Sequence, residues 1–290
     1  MKNRICSCLA ALCLVVGLLP AAGVRASAAA MSVSENLVAL VKEHEGFRST
    51  AYVSGGQWSI GYGTSGSPGQ TMTEAEADKA LREHMTTVEE KLNAFASKWN
   101  VNLTQSRFDA LACFSYNCGT GWMNASGRLR DAVVSGASEE QFLFAISLWA
   151  NNGTAPDPGL LQRRMSEADV YLNGTYNRFS STYTYTIFDA NGGTPGSGGE
   201  DKMQGYRKEG TTKILVADPT LAGHEFAGWF TQRNGGTRVT TLGSDTAGKT
   251  LYAQYRSNGS NPWVGPDESL SGSDGSGTII ASGKVNCTTY

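Results

Sequence analysis

The run from Glu45 to Thr64 constrains this chain more than any other feature. It reads Glu45-Gly46, then Ala51-Tyr52-Val53, Ser54-Gly55-Gly56-Gln57 and Trp58-Ser59-Ile60-Gly61-Tyr62-Gly63-Thr64. Upstream, Ser32-Val33-Ser34-Glu35 has the Ser-x-x-Glu form of a capping box, which predicts a helix starting near Ser32. Leu37, Leu40 and Val41 fall at helical spacing and give that helix one apolar face. Gly46 suits the position just past the last turn, because glycine enters the left-handed region without a steric penalty. Glu45 is therefore expected in the final turn, beside unpaired carbonyls and the negative end of the helix dipole. That setting disfavours an ionised carboxyl and raises its pKa. A general acid working near neutral pH needs such a shift.

A glutamate at a helix end is, by itself, most often only solvated. The segment that follows changes the weighing. Ala51-Tyr52-Val53 predicts a short strand, Ser54 to Gln57 a glycine-centred turn, and Trp58-Ser59-Ile60 the return strand. So few residues separate helix and hairpin that the hairpin must fold back beside the helix end. Glu45, Ser54, Ser59 and Tyr62 can then line one cleft, while Trp58 and Tyr62 serve equally well as core aromatics.

The pattern Glu-Gly-x-x-x-x-Ala-Tyr, a turn, then Ser-Ile-Gly-Tyr-Gly-Thr resembles phage-type lysozymes (glycoside hydrolase family 24), the family of the T4 and lambdoid endolysins. Gln105, Phe108-Asp109-Ala110-Leu111, Phe114, Asn117 and Gly119 resemble that family's central helix, and Gly159-Leu160, Arg163-Arg164 and Glu167 its C-terminal helix. The match runs from about Ser32 to Tyr176. The resemblance implies an α+β lysozyme-like domain, with a small β-hairpin lobe and a helical lobe. It also implies cleavage of peptidoglycan glycan strands between N-acetylmuramic acid and N-acetylglucosamine. Glu45 matches the general acid, Ser59 keeps the hydroxyl of the family's return-strand threonine, and Arg163 matches an arginine that contacts the acid. Tyr116 and Asn117, at the end of the central helix, are candidate substrate contacts with Tyr62 and Arg163. Asn117 has both donors and an acceptor for an N-acetyl sugar, though packing or capping would use it as well.

One departure bears on mechanism. Many members carry a second catalytic residue, an aspartate, two positions after the tyrosine of the Ala-Tyr pair; here Ser54 stands there, and no Asp or Glu occurs between Glu45 and Glu74. The family reaction inverts the anomeric centre, with water attacking opposite the acid. A serine hydroxyl can hold that water but is too weak a base to take its proton. General-base help is worth roughly 10²- to 10⁴-fold, or about 3–5 kcal/mol of barrier. Three routes stay open: slower hydrolysis with Ser54, Gln57 and Ser59 positioning the water, a distant carboxylate reaching in, or attack by the sugar's own 6-hydroxyl. The last is lytic transglycosylation, which lambda-like relatives use.

The remaining chain is read from composition and spacing. With a formal net charge of -2 and no basic run, nucleic-acid binding is excluded as a main function, and attachment to an anionic wall by bulk charge is weak. Lys2 and Arg4, the apolar run Leu9 to Leu19, and Ala26-Ser27-Ala28 read as a signal peptide over residues 1–28. The expected product is secreted and wall-associated, off the membrane after cleavage, and monomeric. Cys113, Cys118 and Cys287 remain after cleavage. The first two lie on one helix, where a disulfide would need distortion, so they are expected as buried thiols. His44, His84 and His224 show no metal-ligand spacing, and no cofactor or metal is implied.

The catalytic domain is expected over 29–178. Thr73-Glu74-Ala75-Glu76 predicts a second capping box with a helix running toward Leu92, Gly153 to Gly159 a loop, and Asn173-Gly174 a helix end. Composition turns β-rich after Phe179. Tyr183 to Phe188 and Lys213 to Val216 are expected strands, Gly196 to Asp201 a flexible loop, and Phe226, Trp229 and Tyr252 core aromatics. Phe188-Asp189-Ala190-Asn191-Gly192-Gly193, Gly223 to Phe230 and Thr250 to Tyr255 together resemble the internalin-type Listeria–Bacteroides repeat, a small β-grasp-like module, over 183–256. That resemblance implies a spacer role or binding of a cell-surface ligand. Residues 257–290 read as a flexible linker, followed by what resembles the first strand of an SH3-like wall-binding module. A rival from another class also stands: a non-enzymatic wall-binding protein or adhesin.

Overall fold

The computed structural model describes residues 30–54, 56–124, 126–258, 270–273 and 279–283. The expected signal peptide, Cys287 and most of the expected linker lie outside these residues. Helix α1 (Glu35–Glu45) is capped two residues later than Ser32: Ser34 is the N-cap, its hydroxyl accepting from the Leu37 N–H. The reason is distant in sequence. Asp109 accepts from both the Ser34 N–H (3.0 Å) and the Ser34 hydroxyl (2.6 Å), while the Met31 and Val33 N–H groups go to Asn93 and Glu89. Glu35 turns outward to a two-bond pair with Arg82 instead of closing a box. Leu37, Val38, Leu40 and Val41 are buried, and Gly46 ends the helix at φ 67°.

Strands β1 (Arg48–Ser54), β2 (Gln57–Gly61) and β3 (Thr64–Ser65) form the small sheet. Tyr52 pairs with Ser59 and Ser54 with Gln57, so these four share one face. Val53, Trp58 and the fully buried Ile60 take the other. Gly61 is needed for packing, since a Cβ there would sit 2.9 Å from the Ala77 Cβ. Helix α2 (Glu74–Trp99) starts at a complete Thr73/Glu76 capping box and runs past Leu92 to Trp99. Helix α3 (Gln105–Cys118) is buried on every side from Phe108 to Ser115, which makes it the axis of the helical lobe. Helices α4 (Arg128–Ser135) and α5 (Glu139–Ser147) follow. The expected 153–159 loop carries a short ribbon, β4 (Asn151–Asn152) with β5 (Ala155–Pro156), and α6 (Pro158–Asn173) closes at Gly174.

The C-terminal module is a sheet ordered β10-β9-β12-β6-β7, with β12 parallel to β6 and the other pairs antiparallel. Its strands are β6 (Tyr183–Asp189), β7 (Met203–Arg207), β8 (Thr212–Lys213), β9 (His224–Phe230), β10 (Arg238–Val239), β11 (Thr241–Leu242) and β12 (Thr250–Ser257). Three expectations are corrected. Of the 213–216 stretch only Lys213 belongs to a strand, the short β8, because the Leu215 N–H turns to the Gln204 side chain. Gly196–Gly199 forms a helical turn, and Asp201 behind it is 2 % exposed and paired with Arg128, so this segment is anchored. On β12 it is Tyr255, whose hydroxyl donates to the Ala190 carbonyl, that is buried, whereas Tyr252 lies half-buried under Arg233. Beyond it, Leu270–Ser273 and Ile279–Gly283 pair antiparallel.

The two halves share their interiors. Tyr183, Tyr185 and Met203 belong to the same buried cluster as the helical lobe, and Phe144 of α5 belongs to the repeat's cluster with Phe188, Tyr206, Trp229 and Leu251. No helix among the described residues is long and apolar enough to cross a membrane.

Candidate active site

Glu45 is the last residue of α1, and its side chain is 19 % exposed. One carboxylate oxygen meets Arg163 Nη1 at 2.7 Å. The other faces Gly63: a Cβ there would lie 3.2 Å from Glu45 Oε2, and φ is 82°. The Gly61-Tyr62-Gly63 bend thus brings bare backbone up to the carboxyl, which a side chain would hold off. The expectation built on the helix end alone left out the nearest charge, the Arg163 guanidinium.

Arg163 is itself held from behind. Its Nε donates to Glu167 Oε1 at 3.2 Å. Arg164 donates to the same oxygen through Nη2 (3.1 Å) and approaches Oε2 with Nε (3.0 Å). Arg164 and Glu167 have no exposed surface. Arg164 also donates to Asn117 Oδ1 and to Cys118 Sγ, both at 2.6 Å, and its guanidinium covers the Phe114 ring at 4.8 Å. Burial pushes the Glu167 carboxyl up, and the two guanidinium groups pull it back. Arginine keeps its charge in proteins, so a neutral Glu167 would leave the fully buried Arg164 without a counter-charge. Two arginines and two glutamates therefore form a balanced row from Asn117 to Glu45.

The surrounding groups are mostly uncharged. His44 Nε2 bonds Ser166 Oγ at 3.2 Å, and because Ser166 donates onward to the Asn177 carbonyl, the histidine is the donor. Burial, then Arg163, Arg178 and Arg164, lower its pKa to about 3. Burial pushes up both free thiols, Cys113 and Cys118, which are unpaired as expected; Cys113 is fully buried and Cys118 half-buried.

The candidates divide. Glu45 and Arg163 are in direct contact. Tyr116 donates to the Tyr62 carbonyl at 2.6 Å, and burial, then the Glu45 charge and Tyr52, raise its hydroxyl. Tyr52, Ser54 and Ser59 share one face of the hairpin. Ser59 is half-buried there, and Ser54 is exposed near the hairpin tip. The Asn117 acceptor is already taken by Arg164, so only its amide N–H groups remain for a ligand. Tyr62 is corrected. Its ring is 3 % exposed, its hydroxyl donates to Glu74 at 2.8 Å, and it packs against Phe47, so its backbone and not its ring borders the site. Burial and that bond push its hydroxyl up to about 12. The next carboxylates along the chain are engaged as well, Glu74 with Tyr62, Glu76 with Thr73, and Asp78 with Lys42 and Arg82. Sequence reasoning gave no role to Arg164 and Glu167, although Arg163-Arg164-x-x-Glu167 carries the i, i+3 and i, i+4 spacing of helical ion pairs. Among the described residues, no group of three or more His, Cys, Asp or Glu side chains could hold a metal ion.

Comparison with known proteins divides the chain at the same place. The phage lysozyme family model matches residues 42–167, and the Listeria–Bacteroides repeat model matches residues 183–254. An endolysin of Acyrthosiphon pisum secondary endosymbiont phage 1 is 33% identical over 147 residues, covering 49% of this chain and 98% of that protein. An endolysin of Bacillus phage B103 is 32% identical over 150 residues, 50% of this chain; the chain spans only 55% of that relative's length. Among solved structures, an endolysin from Escherichia coli O157:H7 phage FAHEc1 shares 27% identity, with 51% of this chain and 97% of that one covered at a TM-score of 0.45. The muramidase domain of SpmX from Asticaccaulis excentricus shares 30% identity, with 49% and 98% covered at a TM-score of 0.44.

Proposed function

The chain belongs to the phage lysozyme family, and from that premise we propose that it is a secreted N-acetylmuramidase acting on the peptidoglycan of bacterial cell walls. Glu45 donates a proton to the oxygen joining N-acetylmuramic acid to N-acetylglucosamine. The observation that carries this reading is the placing of Glu45: Arg163 on one oxygen, the room left by the missing Gly63 side chain beside the other, and a side chain that stays partly open. Positioning of this kind supplies much of the rate in a proton transfer. When Glu45 is protonated for the reaction its bond to Arg163 weakens, and Glu167 keeps that arginine in place through the Nε contact. Ser59 and Ser54 hold the attacking water on the hairpin face opposite the acid, and the Asn117 amide reaches the sugar's acetamido group. The chain acts as a monomer, and the reaction needs no metal.

A second reading is lytic transglycosylation. It is favoured by Ser54 in the base position, together with the engagement of Glu74 and Asp78 elsewhere. Mass spectrometry of digested wall separates the two, because reducing muramic ends support hydrolysis and anhydro-muramic ends support the transglycosylase. Clearing of a purified wall suspension tests the enzyme reading as a whole, with Glu45→Gln expected to lose at least 10³-fold, an order-of-magnitude figure for removing a general acid together with its charge. Equal and negligible clearing by both proteins would leave the wall-binding rival.

A further inference from the structure

A repeat strung on a lytic domain as a spacer would touch it through a small polar seam and move relative to it, as domains within one chain generally do. The seam here is different. Leu143 of α5 and Met165 of α6 share one buried cluster with Tyr183, Tyr185 and Met203 of β6 and β7, whose exposures are 2 %, 7 % and 0 %. The approach is so close that it needs a glycine. A Cβ on Gly205 would lie 2.4 Å from Met165 Cε and 2.9 Å from the Leu143 carbonyl oxygen. Phe144 completes the repeat's own core from the other side.

Polar contacts frame this apolar centre. Arg207 donates twice to Glu139, at 2.8 and 2.7 Å, and the Tyr183 hydroxyl donates to the same carboxylate. Asn173 of α6 donates to the Tyr183 hydroxyl at 3.1 Å. Arg128 binds the buried Asp201 at 2.6 Å and stacks over Phe144. At the edge a cleft of about 430 Å³ stays open, lined by Phe179, Tyr183 and Lys208 among others.

Helix α6 is used on both sides. Met165, Asp169 and Asn173 recur at four-residue spacing and form the stripe toward the repeat. Arg163, Arg164 and Glu167 lie about half a turn away, toward α3 and Glu45. We infer that the α5–α6 face is an interaction surface whose partner is this chain's own β6–β7 hairpin, and that the repeat is a brace which holds α6, and with it Arg163, in register. Its packing role thus replaces that of a detachable module. The consequence for Arg163 rests on the lytic reading above, but the mechanical coupling does not.

Hydrogen exchange read by mass spectrometry on the full chain tests the coupling, alongside calorimetry and wall clearing. The variant is Leu251→Ala, which empties a site in the repeat's core that is 1 % exposed. If the repeat braces α6, exchange in peptides from 158–173 rises at least tenfold, together with that of 224–257. A single calorimetric transition moves down, and wall clearing fails at the same lower temperature. The inference is overturned if the repeat peptides lose protection while 158–173 change by less than twofold. Separate melting of the repeat, in two resolved transitions, would overturn it too. Should Leu251→Ala unfold the repeat outright, protection across 158–173 still decides between the two outcomes. Gly205→Ala probes the seam directly, and faster exchange in both 158–173 and 203–207 is expected; an unchanged α6 counts against the brace. A wild-type protein that clears no wall would count against the lytic reading and leave the exchange result standing.

Discussion

Replacing Glu167 by glutamine tests the row of charges behind Glu45. The change keeps size and shape and removes one buried negative charge. Three contacts are affected, from Arg163 Nε at 3.2 Å, Arg164 Nη2 at 3.1 Å and Arg164 Nε at 3.0 Å. A glutamine oxygen in the Oε1 place can keep two of them as neutral bonds, but its amide nitrogen then points a donor at Arg164 Nε. Arg164 has no exposed surface and Arg163 only 8 %, so water cannot replace the lost charge. Removing one member of a buried ion pair costs about 3–5 kcal/mol, a large share of a domain's usual 5–15 kcal/mol. Over a unit of this size that corresponds to a fall in Tm of roughly 6–20 °C. Urea titration followed by tryptophan fluorescence, with calorimetry, measures both quantities. Replacing charge and partner together, as Arg164→Met with Glu167→Leu, should recover at least half the loss, because an apolar pair leaves no bare ion. A cost for Glu167→Gln below about 1 kcal/mol, the range of exposed pairs, would refute the reasoning. So would a double variant as unstable as the single one.

Three further outcomes are expected. His44 stays neutral in the fold down to about pH 3, while the unfolded chain takes a proton near 6.5, so stability falls as pH drops through that window. At pH 5 the loss relative to pH 7 is about 1–2 kcal/mol; His44→Gln should flatten that slope, and an unchanged slope in urea titrations at the two pH values would refute the assignment. Gly63→Ala puts a methyl group 3.2 Å from Glu45 Oε2 at φ 82°, so stability should drop by about 1 kcal/mol and wall clearing by more than tenfold. Equal losses in stability and clearing would mean that Gly63 serves the turn alone. Ser54→Asp restores a base on the hairpin face and should raise hydrolysis by roughly 10²-fold with reducing muramic ends, whereas a slower enzyme would show that the site is not built around a general base.

What the sequence could disclose follows from how far each decision reaches. The Thr73/Glu76 box, the glycine stops at Gly46 and Gly174 and the hairpin turn are settled by neighbours, and each stands where local chemistry puts it. Ser32 and Ser34 are a different case: both carry a capping hydroxyl, and the choice falls to Asp109, 75 residues from Ser34. Tyr62 could face the cleft or the core with equal local merit, and the Glu74 carboxylate at the start of α2 decides for the core. In the row behind Glu45, spacing marks Arg163, Arg164 and Glu167 as possible partners of one another, but only the packing of α6 on α3 turns them inward and gives the row its energy. At the seam, Gly205 reads as a weakness in a strand, since glycine packs no side chain there. Its use emerges only when Met165 and the Leu143 carbonyl arrive from the other half of the chain. Each residue that sequence reasoning misplaced is thus one whose partner lies on a different element, and the parts of the site that determine chemistry are mostly of this kind. The place of Glu45 is legible, because helix end, glycine and hairpin are contiguous; the groups that hold it are spread over α3 and α6, and in the brace proposed above the repeat joins them.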